Sequence, residues 1–233
     1  MPTASRVSSR VSRDVWLVVG ASPGIEMYYA ALCPMLSRLA TITSNAGARL
    51  FAQPYRPDFY WVSDPAAVSL FAGVARDLQR RGTKLIGVTR PVPGSQRPQV
   101  YRPDVVVPLP HRGGGPLPFT PGRWVHPRLS GLLCLQYALH AGARAVVLAG
   151  MCGYASTRAV QVVDEVDGRL GPRGGNEYNG KWIAPFVQSC IDALPAVRFV
   201  VCGRPLYELR GPNMKVLDSP DQVARAVADL VGA

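Results

Sequence analysis

The sequence predicts an α/β fold: a mainly parallel sheet with helices on both faces and irregular lid segments. Two observations carry this reading. Short apolar runs alternate along the 233 residues with longer helix-patterned stretches, which is the order that βαβ units impose. Polar or glycine-rich clusters then recur where the apolar runs end, and a parallel sheet holds its ligands beyond the carboxyl ends of its strands.

Asp14–Gly20 is an apolar run closed by glycine and reads as a buried first strand. Gly20-Ala-Ser-Pro-Gly24 is turn chemistry, and Ile25 to Leu39 is helical with Pro34 as a kink or break. Ala40–Ser44 is rich in β-branched residues and makes a second strand; Phe59–Val62 makes a third. Asp64-Pro65 then opens a helix to about Arg81, with the aspartate as cap and the proline in the first turn. Thr83–Val88 is the next strand.

Residues 90–127 change character: prolines crowd in, with glycines at 113–115, and only Val105–Val107 reads as a strand. A connection this long is usually functional or disordered. Arg128 to Ala141 reads as an amphipathic helix ended by Gly142, and Arg144–Ala149 as a buried strand. A second irregular stretch covers 150–180. Lys181–Leu194 is helical, Val197–Val201 and Lys215–Leu217 are strands, and Asp218-Ser219-Pro220 starts a closing helix over Asp221–Val231. The expected organisation is a flexible basic arm over 1–13 and one domain over 14–233.

Composition narrows the classes. The net charge is +11, from 26 basic and 15 acidic residues, which suits a polyanionic partner such as DNA, RNA or a phosphate-rich ligand. Only Lys84, Lys181 and Lys215 are lysines, and an arginine-dominated, Ala/Gly/Pro-rich chain is also what a GC-rich genome produces without functional pressure. The cysteines, Cys33, Cys134, Cys152, Cys190 and Cys202, are odd in number and scattered, so neither a zinc site nor a disulfide framework is expected. A reducing compartment fits them, and the expected location is cytoplasmic, the host cytoplasm if the chain is phage-encoded. The most apolar stretch, Leu132 to Leu148, is broken by Gln136, His140 and Arg144 and should not span a bilayer. The Ser/Arg-rich start has no apolar core of a secretory signal.

The candidate site follows from the strand ends. Gly20, Ala21, Ser22, Pro23 and Gly24 would bring backbone amides to a phosphate before a helix N-terminus, although the stretch is neither G-x-G-x-x-G nor a Walker motif. Asn45 could read a base or ribose edge. Ser63 and Asp64 end the third strand; Asp64 could bind a ribose hydroxyl or act as a base, while also serving as a helix cap. Arg90, Arg123 and Arg128 flank the proline-rich loop and could clamp phosphates or nucleic acid. Ser130 and Gly131 open the long helix, and Gly150, Met151 and Cys152 follow the strand after it. His126 is the best-placed general base among the histidines, since its reference pKa is near neutrality; His140 is expected to pack or cap. Tyr154 could donate to a leaving phosphate. No D-x-D pair occurs, so no metal site and no tightly bound cofactor are expected.

Several of these segments carry a resemblance. Leu17-Val-Val-Gly-Ala-Ser-Pro-Gly24 is similar to the opening motif of the bacterial sialyltransferases of glycosyltransferase family 42 and their phage relatives, a group broad enough to include archaeal-type hydroxymethylpterin pyrophosphokinases. Thr43-Ser-Asn-Ala46 resembles that group's second-strand asparagine. Pro57-Asp-Phe-Tyr-Trp-Val-Ser-Asp-Pro65 resembles its P-D-Y segment. Ser130 to Gly150 resembles its helix–strand unit, and Gly150-Met-Cys-Gly-Tyr154 places Tyr154 where the family has a phosphate-contacting tyrosine. The match covers roughly half the chain, in order. It implies a Rossmann-like variant, a nucleotide or nucleotide-sugar ligand, and transfer without a tightly held metal. Two departures stand out: Cys152 replaces the usual acidic residue, and no histidine follows His140 in the lid region, which offers Glu165, Arg173, Asn176, Tyr178 and Lys181 instead.

The expected activity is therefore transfer of a sugar from a nucleotide sugar to a hydroxyl acceptor, a glycan or a hydroxylated base in phage-type DNA. The alternatives on the same fold are a pyrophosphokinase, which would need magnesium and a nucleoside triphosphate, and a non-catalytic nucleotide or nucleic-acid binding module.

Overall fold

The structure is a computed structural model that describes residues 13–22, 24–51, 53–62, 70–88, 102–110, 117–127, 129–152 and 179–232. Among these residues eight strands form one sheet, and every neighbouring pair runs parallel. They are β1 (Val15–Val19), β2 (Ala40–Ser44), β3 (Phe59–Trp61), β4 (Lys84–Val88), β5 (Val105–Val107), β6 (Ala145–Ala149), β7 (Arg198–Cys202) and β8 (Met214–Leu217). Their order across the sheet is β5-β4-β3-β2-β1-β6-β7-β8. The chain thus winds outward from β1 to one edge, returns to the centre at β6, and winds outward to the other edge. The reversal lies between β1 and β6, which pair from Val15↔Ala145 to Val19↔Ala149.

Strands buried on both faces need apolar side chains pointing both ways, and every residue of β1, β2 and β6 is buried. Trp16 and Val18 face α3 (Ser130–His140) and α4 (Ala184–Ala193), while Val15, Leu17 and Val19 face α1 (Ile25–Leu32) and α5 (Pro220–Gly232). On the α1 side, α2 (Ala72–Arg80) sets Ala75 and Leu78 against Tyr60 and Leu85. Helices on both faces of a parallel sheet make this an α/β fold of the Rossmann-like class. Pro34 acts as expected: α1 stops at Leu32 and the chain tightens into a 3-10 turn, Cys33–Arg38, with the proline in its first turn.

One expectation needs correction. The long helix is not amphipathic, because Leu132 through Leu139 are all buried. Residues 117–127, part of the proline-rich stretch, lie along its outer side and close it off. Gln136 holds them there: its Oε1 accepts from Val125 N–H at 3.0 Å and its Nε2 donates to Val125 C=O at 3.0 Å. The side chain thereby gives Val125 the two bonds a neighbouring strand would supply. Phe119 N–H donates to Ser189 Oγ at 2.8 Å, and Trp124 lies 4.5 Å from the His140 ring and 6.3 Å from the rings of Tyr137 and Trp61.

The amino ends of the strands are joined by side chains. Asp58 Oδ2 accepts from Thr41 N–H and Thr41 Oγ1, both at 2.9 Å, Asp58 N–H donates to Thr41 Oγ1 at 2.8 Å, and the Arg13 guanidinium stands 3.3 Å away. Asp58 therefore fastens β2 to β3 at the amino end of the sheet.

Two outcomes follow. Gln136→Leu strands a buried donor and acceptor of Val125 and should lower the unfolding free energy by about 3 kcal/mol in urea titrations. His140 has a half-buried ring and a buried Nε2 with no partner; burial holds its pKa below the ordinary histidine value, against a hydrogen bond with the Arg123 main chain that raises it. The unfolded chain then takes up a proton that the folded chain refuses. Stability should hold above about pH 6.5 and fall as the pH drops below it, and His140→Phe should flatten that part of the profile.

Candidate functional site

The candidate crevice lies where the winding reverses, at the carboxyl ends of β1 and β6, and glycines let those strand ends meet. A methyl group added at Gly20 would sit 2.1 Å from Gly150 O and 3.0 Å from Met151 Sδ. One at Gly131 would meet Met151 Sδ at 2.8 Å, and one at Gly47 would meet Thr43 Oγ1 at 2.4 Å and Gly20 O at 3.0 Å. Gly20 and Gly47 meet fixed backbone and so require glycine, whereas at Gly131 the Met151 side chain could move aside. Gly150 also sits at φ 71°, in the left-handed region. The result is a close, buried backbone junction at the topological switch point, beyond which open α/β sheets take their ligands.

Gly20–Gly24 does different work from that expected of it. Gly20 N–H donates to Ala149 O at 2.7 Å, and Ser22 donates to Gly150 O through both its N–H, at 3.1 Å, and its Oγ, at 2.7 Å. These groups clasp β1 to β6 and are not available to a phosphate. Ala21 N–H and the first turn of α1, entered through Gly24 at φ 78°, remain to face an anion.

Across the crevice floor, Asn45 ends β2 with a left-handed backbone, φ 47°, that asparagine tolerates better than most residues. Tyr60 donates its hydroxyl to Asn45 O at 3.1 Å. The Asn45 side chain donates from Nδ2 to Ser130 Oγ at 3.4 Å, while its Oδ1 is buried with no partner. If the amide is turned over, the same pair is kept and Nδ2 becomes the unpartnered atom. A buried amide with one unmade bond is costly without a partner and gains when a ligand supplies one. Ser130 and Gly131 form the first turn of α3, so two helix N-termini, those of α1 and α3, flank the glycine floor from opposite faces of the sheet.

Cys152 points elsewhere. Its Sγ–H donates to Cys202 O at 3.1 Å, and burial, with Asp218 second, pushes its thiol pKa up. A carboxylate in that place would set oxygen against a carbonyl oxygen, which accounts for a cysteine here. The turn from Gly150 to Cys152 is held from the β7–β8 connection: Tyr207 donates its hydroxyl to Met151 O at 2.5 Å and Leu206 N–H to Cys152 O at 2.8 Å.

The structure thus brings together Gly20, Ala21, Ser22, Gly24, Asn45, Ser130, Gly131, Gly150 and Met151. His126 is half-buried on the segment between Val125, fixed on Gln136, and the start of α3. Arg123 lies away from the crevice: its main chain meets His140 at the far end of α3, about 15 Å along the helix from Ser130, because residues 117–127 run antiparallel to it. Pro23, Ser63, Asp64, Arg90, Arg128 and Tyr154 lie outside the described residues. Tyr60 and Tyr207 were not picked out from sequence, and Gly47 only as the end of the turn that follows the second strand. Asn-Ala-Gly after a strand signals a turn but not that Gly47 packs on Gly20, and nothing local marks Tyr207. Among the described residues no group of three or more His, Cys, Asp or Glu is placed to hold a metal ion, and no helix is long and apolar enough to cross a membrane.

Fold and crevice together define an α/β protein of the Rossmann-like class. No protein-family model matches the chain, and no curated protein matches it. Among solved structures it is similar to the MAf glycosyltransferase from Magnetospirillum magneticum AMB-1, with a TM-score of 0.55 and 17% sequence identity. The similarity covers 97% of this chain and 38% of that one, so this chain spans less than half the length of its structural neighbour. At that identity the likeness is one of fold.

The two glycines that differ most in surroundings test the floor. Gly20→Ala must push the ends of β1 and β6 apart and should cost at least about 3 kcal/mol of stability. Gly24→Ala meets nothing within 4 Å and should cost only the left-handed backbone, about 1 to 2 kcal/mol. Urea unfolding of the two variants reads the difference.

Proposed function

We propose that this chain binds a nucleotide sugar across the β1–β6 crevice and transfers the sugar to a hydroxyl acceptor. The observation that carries the reading is the unpartnered amide of Asn45 beside Ser130, at the edge of a glycine floor flanked by two helix N-termini. A nucleotide has what such a site lacks: a hydrogen-bonding base or ribose edge for the amide, and phosphate charge for the helix ends. The fold likeness to a glycosyltransferase and the resemblance of the strand-end motifs to sialyltransferases support the same class.

In the transfer, the acceptor hydroxyl oxygen forms a bond to the anomeric carbon as the bond from that carbon to the phosphate oxygen breaks. The hydroxyl proton passes to a base, for which His126 and Asp64 are the candidates. Charge that develops on the leaving phosphate is stabilised by the main-chain amides of the α1 first turn and of Ser130 and Gly131, which have no main-chain partner among the described residues, with Tyr154 as a further donor; preorganised donors of this kind are usually the largest single contribution to such catalysis. The donor's diphosphate or monophosphate linkage supplies a good leaving group, so the reading asks for no resident metal.

A thermal-shift screen against nucleotides and nucleotide sugars, with and without magnesium, tests it. The right donor at a hundredfold excess over its Kd should raise Tm by roughly 5 to 10 °C, independent of magnesium. Asn45→Asp, which keeps the left-handed backbone tolerable, should abolish the shift with little change in the Tm of the free protein. A shift requiring magnesium and a nucleoside triphosphate would favour pyrophosphoryl transfer instead. No shift with any nucleotide would overturn the site.

A further inference from the structure

We infer that the amino-terminal edge of the sheet, the end opposite the crevice, is a docking surface for a nucleic-acid duplex. The strands are entered through cations. Arg102 precedes β5, Lys84 begins β4, Arg56 precedes β3, Arg38 precedes β2 and Arg198 begins β7, and all five are exposed. Arg123, also exposed, adds a sixth charge beside the same end of α3. Arg13 and Arg144 enter β1 and β6 and pair with Asp58 and Asp14.

The carboxylates at the strand entrances are already engaged. Asp14 is held by Arg144, Asp58 by Arg13 and Thr41, and Asp104 by Leu85 N–H at 2.8 Å and Gln79 Nε2 at 3.2 Å. None of the six exposed cations forms an ion pair among the described residues. Arg102, Lys84, Arg56 and Arg38 stand at four successive entrances, β5 to β2, and Arg198 stands at β7 beyond the ion-paired Arg13 and Arg144; Arg56 donates to Gly82 O at 3.0 Å, Lys84 N–H to Asp58 O at 2.9 Å, and Arg198 N–H to Arg144 O at 3.0 Å.

Seven adjacent strands at about 4.8 Å spacing set the length of the row at about 29 Å, the rise of about eight base pairs of duplex. Five of the six are arginines, whose planar fork suits phosphate oxygens. A band of charge along the strand entrances and the helix ends beside them suits a phosphodiester backbone; a bilayer is met by clustered charge alongside apolar side chains that insert. The row and the crevice are separated by the length of a five-residue strand, about 17 Å. A duplex held on the row therefore serves as an anchor and does not present a base to the crevice. This inference stands apart from the proposed transfer and survives its failure.

Fluorescence anisotropy with a 20-base-pair DNA duplex between 50 and 200 mM salt tests it. Six phosphate contacts predict a slope of log K against log salt near −5, about a thousandfold loss of affinity over that range. The side chains of Lys84, Arg102, Arg123 and Arg198 bond nothing else among the described residues, so the fourfold change to Gln should fold normally, with an unchanged Tm, and reduce the slope by about 3 to 4. Should it fail to fold, the pair Arg102→Gln and Arg198→Gln should still reduce the slope by about 2. Asn45→Asp should leave duplex binding unchanged. Absence of duplex binding at 50 mM salt, a slope that these substitutions do not move, or binding to phosphatidylserine vesicles that duplex does not compete away, would each overturn the inference.

Discussion

The structure depends on the meeting of Gly20 with Gly150. These residues end the two central strands, and their backbones approach so closely that one added methyl would overlap a carbonyl oxygen. Because nothing projects between them, the turn after β1 can clasp the turn after β6 through Gly20 N–H and both donors of Ser22. Met151 then lies over the junction, in reach of Gly20 and of Gly131 in the first turn of α3. The crevice is what remains above that junction. Its chemistry is mostly backbone, with the Asn45 amide as the polar side chain left unsatisfied.

The two ends of the sheet are held by different means. At the carboxyl end, main-chain groups and small residues set the spacing, and Tyr207 and Leu206 brace the β6 turn from the neighbouring connection. At the amino end, side chains do the joining, with Asp58 bridging Thr41 and Arg13 and Asp14 holding Arg144. A backbone floor leaves room for a ligand to approach closely. Carboxylates engaged among the strand entrances leave the remaining arginines to set the sign of that surface.

Residues 117–127 show how a stretch without regular structure becomes part of the core. Gln136, fully buried in α3, supplies the two hydrogen bonds that let Val125 pack without a strand partner. Trp124 and Phe119 then cover His140, and the long helix is buried all round. Covering α3 in this way also brings the chain back to its N-terminus, where Ser130 meets Asn45.

Much of this was legible in the sequence. Apolar runs marked the strands, Pro34 marked the break after α1, and strand-end clusters pointed to Gly20–Gly24, Asn45, Ser130 and Gly150–Cys152, because burial on both faces and turn chemistry are local properties that leave local signs. Tertiary structure decided the rest. The amino acids of α3 look amphipathic until the strap covers them, Arg123 looks close to the crevice until its segment proves antiparallel to the helix, and Ser22 looks like a phosphate ligand until its donors are found on Gly150. Neither Tyr207 nor Gly47 carries a sign of its place. Contacts between different elements are set by how the elements pack, and that packing is a property of the whole chain at once. The sequence by itself determined which segments are strands, helices and turns; only the folded sheet decided that β6 returns beside β1, and with that where the crevice lies.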